Sequence, residues 1–467
     1  MKTPARLLLL LSIFAAVAAA QTPATATPAA TPAGTPPAGR GRGAGGRGGG
    51  RAEVSSVPAS DWIDPKTGHR IIRLSPDTGG STLYFHDHRY TPEGDKILIR
   101  GAGGVGIVDL STLGKSPTKF EVVLPNVNPI AMAWRTREAY FMQDGTLMAV
   151  NVDTKAVRSV VKMPPEARGS AIINCDESLI VGIGADPDGK VMPKLPPSGK
   201  LIENPAPGSL EPQWAAGNPV RIFTVDVKTG EFKVLRHENN WTNHLQCSPT
   251  DPQQFLFAHE GPWHYVDRSW AIRADGSPAR LLHERTMNME IAGHEFFGQD
   301  GKSVWYDLQT PMSGVFWLAG VNLETGHRTW YNLQRDEWSV HFNVSLDGKL
   351  FCGDGGGPTS VAARTMDRAD IQGQGQWMYL FRPVMTGGSS FRDKKDLIDV
   401  GYFKSERLVD MSNHNYSKET GVEPNLAFTP DAKWIIFSGN FHTNPGPARR
   451  ATTHVYAVEI AKHEKKT

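Results

Sequence analysis

Two patterns of apolar positions alternate along this chain. The first is a short apolar strand, a turn carrying Asp, Gly or Pro, and a second apolar strand. It occurs as "RYTPEGDKILIR", "MAWRTREAYFM", "IINCDESLIVGIG", "QCSPTDPQQFLFA", "FFGQDGKSVWYDL", "NVSLDGKLFCGDG" and "AFTPDAKWIIFSG". The second is a strand that ends in an acidic or polar turn: "VGIVDLSTLGK", "LMAVNVDTKAV", "RIFTVDVKTGEFKVL", "WAIRADGSPARLL", "FWLAGVNLETGHRTWY", "MYLFRPVMTGG" and "HVYAVEIAKH". There are seven of each, in strict order. Short apolar runs bounded by such turns read as strands. Two patterns of two strands give a four-stranded antiparallel unit, so the chain predicts an all-β fold, a seven-bladed β-propeller of four-stranded blades. A sandwich pair or a parallel β-helix would break the alternation, and no helical period is sustained. Three Gly/Pro-rich insertions, at Asp186 to Pro219, Gly353 to Gln376 and Thr386 to Val422, read as long functional or disordered loops.

The register of the first pattern carries candidate chemistry. Aligned on the residue that opens the turn (Thr91, Ser248, Gly298, Ser345 and Thr429), the position four residues earlier holds Asp87, His244, His294, His341 and Asn425. In a propeller the first pattern supplies the innermost strand, so equivalent positions gather at one mouth of the central channel. One histidine there would serve to tie neighbouring blades. Three imidazoles at one register are what a metal or acid/base site needs, because such a site requires convergent nitrogen and oxygen donors. More polar groups lie close by: His86 and His88 flank Asp87, His414 and Glu423 precede Asn425, and "AHEGPWHYVDR" carries His259, Glu260, Trp263, His264, Asp267 and Arg268. His259 and Glu260 close a second strand, where a blade-edge hydrogen bond or ion pair competes with a binding role. Arg268 is either a bidentate grip for a carboxylate or the partner of Asp267 or Glu260.

The ends and the composition narrow the setting. Residues 1–20 have a basic start, an apolar run and a small-residue end, the pattern of a cleaved secretory signal, so the mature protein is expected to be exported, periplasmic or secreted. Residues 21–55 are Thr/Ala/Pro-rich and then Arg/Gly-rich, which cannot bury a core and reads as a flexible linker. That leaves 56–467 for the propeller. No stretch after the signal is apolar enough for a membrane span. The net charge of +2 gives no reason to expect a nucleic-acid partner, and three cysteines are too few for a disulfide framework. "GDGGG" at Gly353 to Gly357 lacks the helix and the Lys-Ser/Thr ending of a phosphate loop and reads as a turn. G-x-S-x-G is absent, which argues against a propeller-gated serine peptidase.

"FTVDVKTGEFKVL", "NHLQCSPTDP", "FAHEGPWHYVDRSWAIRADGS", "GHEFF" and "FTPDAKWIIF", in this order, resemble the oligogalacturonate lyases of polysaccharide lyase family 22 across the whole propeller. The resemblance implies a seven-bladed propeller that cleaves oligogalacturonides by β-elimination with a divalent metal, usually manganese. It implies that His244 is the Brønsted base, that Arg221 tunes that base, and that His294 is a metal ligand. The family's remaining ligands come from a Gln-x-x-His-x-His run before the last F-T-P-D. Here the run reads "TGVEPNLAFTPD", so Thr420, Glu423 and Asn425 replace them, with His414 as a substitute nitrogen. Such an oxygen-rich set suits Mn²⁺, Mg²⁺ or Ca²⁺ over zinc.

On that reading the metal on His294, Glu423 and Asn425 would bind a uronate carboxylate while neutral His244 takes the adjacent proton. Arg221 beside it would lower the imidazole pKa by like-charge repulsion. Arg268, His341, His259, Glu260, Asp87 and His88 are candidate sugar contacts, with Trp263 as a stacking surface. Two rivals stand beside this one: a lyase acting on another, glucuronate-bearing oligosaccharide, and a non-catalytic TolB-like binding propeller.

Overall fold

In this computed structural model the described residues run from 60 to 463, apart from 102, 116–117, 202–208, 263, 288, 312, 357–359, 362–376, 387–397, 413, 415–421 and 442–451. The expected signal and linker, and Trp263 and Thr420, lie outside them. Residues Ser55–Thr467 make one compact unit.

The apolar runs become strands as the pattern requires. A four-stranded sheet, for example, is built in chain order from Trp241–Cys247, Gln254–Glu260, Ser269–Arg273 and Arg280–Leu281, every pair antiparallel. Three more sheets repeat this order, starting at Gly80–Ser81, Pro129–Met132 and Ser170–Ile173. An eight-stranded sheet divides into two such units, one starting at Ile291–Phe297 and the other at Phe342–Val344. They are joined edge to edge by a parallel pairing of Arg328–Leu333 with Ile398–Asp410.

Packing explains why the second strand of a unit reads as an unbroken apolar run. Gln254–Glu260 is buried at every position, covered on both faces, whereas the outer strand Val157–Lys162 is largely exposed. Each large apolar cluster bridges two consecutive units. Val181, Ile183 and Ile222 meet Leu245, Phe255 and Phe257, for instance, while Leu256 and Ala271 meet Val304 and Tyr306. The series returns to its start where Ile97 and Ile99 pack against Trp434, Ile436 and Val455. The result is a β-propeller.

Two elements differ from the sequence expectation. The third insertion contains the thirteen-residue strand Ile398–Asp410, paired with Trp377–Met385, rather than loop throughout. Its apolar positions are interrupted by Lys404, Ser405, Glu406 and Arg407, which hid the period. The last unit is also not four strands of contiguous chain. His454–Lys462 is followed by no further strand among the described residues, and His69–Arg73 from the other end pairs against it, with Asp61–Ile63 outside as a fifth strand. Of the insertions, 186–219 carries the one α-helix among the described residues, Glu211–Ala216, whose Trp214 packs with Tyr265 and Val266 beside the end of Gln254–Glu260.

Candidate functional site

The repeated register has a backbone cause. His244, His294 and Asn425 all adopt left-handed conformations, with φ of 51°, 47° and 50°. The antiparallel ladders slip at the same places, between Asn243 and Gln246 and between Gly293 and Phe296. A bulge of this kind turns a side chain out of the strand's alternation and re-aims it. Asn and His tolerate the left-handed region better than most residues with a Cβ.

The bulges aim His244 and His294 into one cluster with His341 and His86. Ring centres are 5.9 Å apart for His244 and His294, 5.0 Å for His294 and His341, and 6.0 Å for His86 and His244. Tyr84 lies 5.5 Å from His244 and 5.3 Å from His341, and Phe85 4.6 Å from His341. Tyr84, Phe85 and His86 belong to the loop ahead of the first unit's second strand, held by the buried Arg89. Its guanidinium donates to the carbonyls of Tyr84, Asp87 and Asn425. Burial, followed by the charges of its neighbours, pushes the His86 and His294 imidazoles well below their ordinary value, which keeps them neutral.

Carboxylates stand behind the imidazoles. Glu260 Oε1 is 3.1 Å from His244 Nε2, and its other oxygen is 2.8 Å from the Arg268 guanidinium, which also meets Glu295 at 3.2 Å. Burial alone would raise the Glu260 carboxyl, but Arg268 and His244 outweigh it and hold it well below the usual carboxylate range. Asp354 accepts both the His341 backbone N–H at 2.9 Å and its ring Nδ1 at 2.7 Å. Burial would lower the His341 imidazole, and the Asp354 charge more than reverses this. His341 Nε2 is left without a hydrogen bond, 3.8 Å from the half-exposed Glu423 carboxylate. His86 Nε2 and His244 Nδ1 are likewise buried without a hydrogen-bond partner.

Other expected site residues make contacts different from those expected. Arg221 does not pair with His244: it donates to the Glu166 carbonyl at 2.9 Å and lies over the Phe232 ring, 5.0 Å from its centre. Asn425, expected as a metal ligand, fastens the backbone here: its amide oxygen takes the Phe85 N–H at 3.2 Å and its nitrogen donates to the Glu423 carbonyl at 3.0 Å. His414 is held by the Val422 carbonyl at 2.7 Å on one nitrogen and by the Asn440 N–H on the other, against Phe441. His88 stacks flat on Trp134 at 3.6 Å. His259 points to Glu238, 3.3 Å away. Asp87, expected as a sugar contact, takes the Tyr84 N–H at 3.1 Å and so closes the Tyr84 turn. Arg268, 2% exposed, is the partner of Glu260 rather than a surface grip for substrate.

Sequence reasoning left out Tyr84, Glu295 and the role of Asp354. The signal for Asp354 was present in "GDGGG", where only Asp354 carries a functional group.

The buried carboxyl of Asp307, opposite Gly293 in the ladder, supplies a stability test. It accepts from Trp338 Nε1 at 2.7 Å and Gln309 Nε2 at 2.8 Å, yet burial pushes its pKa up to about 7. A group that holds its proton more tightly when folded stabilises the fold fully below its unfolded pKa, near 4. That contribution is lost as pH rises toward 7. Denaturant unfolding of wild type is therefore expected to lose up to about 4 kcal/mol more between pH 4 and pH 7.5 than Asp307→Asn does. Parallel curves for the two proteins would refute this.

Residues 53–450 match the family model described as oligogalacturonate lyase. The oligogalacturonate lyase of Dickeya dadantii is 25% identical over 395 residues, covering 82% of this chain and 93% of that protein. The oligogalacturonide lyase of Pectobacterium atrosepticum is 25% identical over 411 residues with the same coverage. Among solved structures, an oligogalacturonate lyase from Vibrio parahaemolyticus superposes with a TM-score of 0.63 at 20% identity, covering 86% of this chain and 96% of that one. An oligogalacturonate lyase in complex with manganese gives the same TM-score and coverage at 22% identity. At these identities the two structures speak to the fold.

Proposed function

The chain belongs to the oligogalacturonate lyase family, and from that premise we propose that it cleaves oligogalacturonides, fragments of pectin, by β-elimination beside a uronate carboxylate. The observation that carries this reading is the meeting of His244 and His294, from consecutive units, at 5.9 Å between ring centres, with His341 and Glu423 beside them.

Such an elimination removes a weakly acidic proton from the carbon bearing the carboxylate. The electron pair forms a double bond to the next carbon, the bond to the glycosidic oxygen breaks, and that oxygen takes up a proton from water. His244 is the proton acceptor, with its Nδ1 buried and free of hydrogen bonds. General-base catalysis of this kind contributes about 10²–10⁴-fold.

A divalent cation fits the donors opposite His244. Among the described residues no three His, Cys, Asp or Glu side chains are already drawn to coordination distance. The donor chemistry is nevertheless suited to one: His341 offers Nε2 while its Nδ1 is oriented by Asp354, the carboxylate–histidine arrangement that accompanies metal ligands. His294 and the Glu423 carboxylate complete a mixed nitrogen and oxygen set that manganese accepts. The cation would neutralise the uronate carboxylate and the charge that develops on proton removal. This set replaces Asn425 and His414 with His341.

Chelator-treated protein is expected to lose production of the unsaturated product on oligogalacturonides, followed by its ultraviolet absorbance, and to regain it with Mn²⁺. His341→Ala should weaken Mn²⁺ binding at least tenfold by calorimetry. Full activity after chelation would remove the metal from the proposal. The rivals, another uronide or a non-catalytic binding propeller, are not favoured, because the family model and both relatives are oligogalacturonate lyases. Export of the protein is proposed from the signal-like first twenty residues, and secretion of a tagged full-length chain tests it.

A further inference from the structure

We infer that Glu260 is the positioning residue of the base: its carboxylate fixes the His244 imidazole as the Nε2–H tautomer and leaves Nδ1 as the atom that takes the substrate proton. The inference rests on the lyase reading above and deepens it.

Hydrogen-bond sense decides which nitrogen of His244 carries the proton. A carboxylate only accepts, so an imidazole nitrogen 3.1 Å from it must carry the hydrogen. That nitrogen is Nε2. The same Oε1 is 3.5 Å from the Asn243 amide nitrogen, another donor, and Oε2 is 2.8 Å from Arg268. All three of these neighbours are donors, one of them a cation, and the group is held as an anion. Arg268 is anchored in turn by Glu295 at 3.2 Å, on the strand next to His294. The chain His244, Glu260, Arg268, Glu295 therefore ties the base of one unit to the bulge of the next.

Two consequences follow for the reaction. With Nε2 carrying the hydrogen, Nδ1, which has no hydrogen-bond partner, is the ring nitrogen left with a lone pair to accept a proton. When Nδ1 accepts the proton from the carbon that bears the carboxylate, the ring becomes an imidazolium whose new charge is met by the Glu260 carboxylate, already 3.1 Å from Nε2. A carboxylate behind the ring thus favours the proton-transfer state over the bound ground state, which raises kcat more than it lowers KM.

The test uses the full chain with Mn²⁺ present. Glu260→Gln is expected to lower kcat by about 10²–10⁴-fold with KM changed less than about threefold, while Glu260→Asp recovers at least part of that loss. A merely structural ion pair would instead lower the melting temperature of both variants and leave kcat, measured well below it, near wild type. Long-range nitrogen–proton spectra of ¹⁵N-histidine-labelled wild type, with the His244 signal assigned by its loss in His244→Asn, give a measurement that needs no Glu260 variant to fold. They are expected to show His244 protonated at Nε2. Protonation at Nδ1, or Glu260→Gln with wild-type kcat, overturns the inference while leaving the lyase reading intact. Absence of turnover by wild type itself would count against the lyase reading, and the spectra would still decide the tautomer.

Discussion

Replacing His244 by asparagine is expected to reduce oligogalacturonide turnover by about 10²–10⁴-fold while the protein stays folded. Asparagine is the better first choice than alanine for a physical reason. Position 244 has a φ of 51°, a conformation that asparagine adopts with little strain and alanine adopts at a cost of roughly 1 kcal/mol. The bulge that shapes the cluster should therefore survive. The substitution also leaves Glu260 with its stronger partner, Arg268, at 2.8 Å. Steady-state rates at saturating substrate, with the melting temperature measured alongside, decide the matter. A variant that keeps more than about a tenth of wild-type kcat would remove His244 from the role of base.

Arg268→Met is expected to destabilise the fold by about 3–5 kcal/mol and to abolish activity with it. The arginine is 2% exposed and stands between Glu260 and Glu295, themselves 8% and 0% exposed. Methionine fills much of the same volume, so the effect isolates charge from packing. Two buried carboxylates would face each other with no cation between them, and at least one would have to take up a proton. Raising the acidity should then increase the variant's own stability, whereas a variant that has merely lost an ordinary surface ion pair gains none on acidification. Denaturant unfolding at two pH values distinguishes these outcomes, and a loss under about 1 kcal/mol would show that the arginine is dispensable.

The propeller and the convergence of His244 with His294 were legible because both follow from local periodicity. Strand, turn, strand recurs with little variation, and a register counted from the turn places equivalent residues in equivalent positions. What was not legible depends on contacts distant in sequence. Arg221 and Arg268 are both arginines near a strand, and nothing local says that the first meets Glu166 and Phe232 while the second meets Glu260. Asn425 sits at the same register as His244, with the same left-handed backbone, yet its amide bonds Phe85 from the opposite end of the chain. Tyr84 and His86 escaped alignment because they lie on a loop rather than on a strand, and a loop's path has no period. Ile398–Asp410 was missed for a similar reason, since twelve residues separate it from its partner strand and charged positions interrupt its alternation.

The last sheet has a bearing on how the molecule comes to be assembled. The His69 ring and the Glu459 carbonyl it touches at 2.9 Å are 390 positions apart, so the circle is sealed by a contact between an early and a late strand of the described chain. Local hairpins can form early, but this clasp must await the final strand, and contacts so remote in sequence are slow to find each other. During that wait the outer edge of His454–Lys462 offers unpaired backbone to any passing strand. A chain clipped after residue 73 would carry the same open edge permanently, and would be expected to clump where the intact protein stays dispersed.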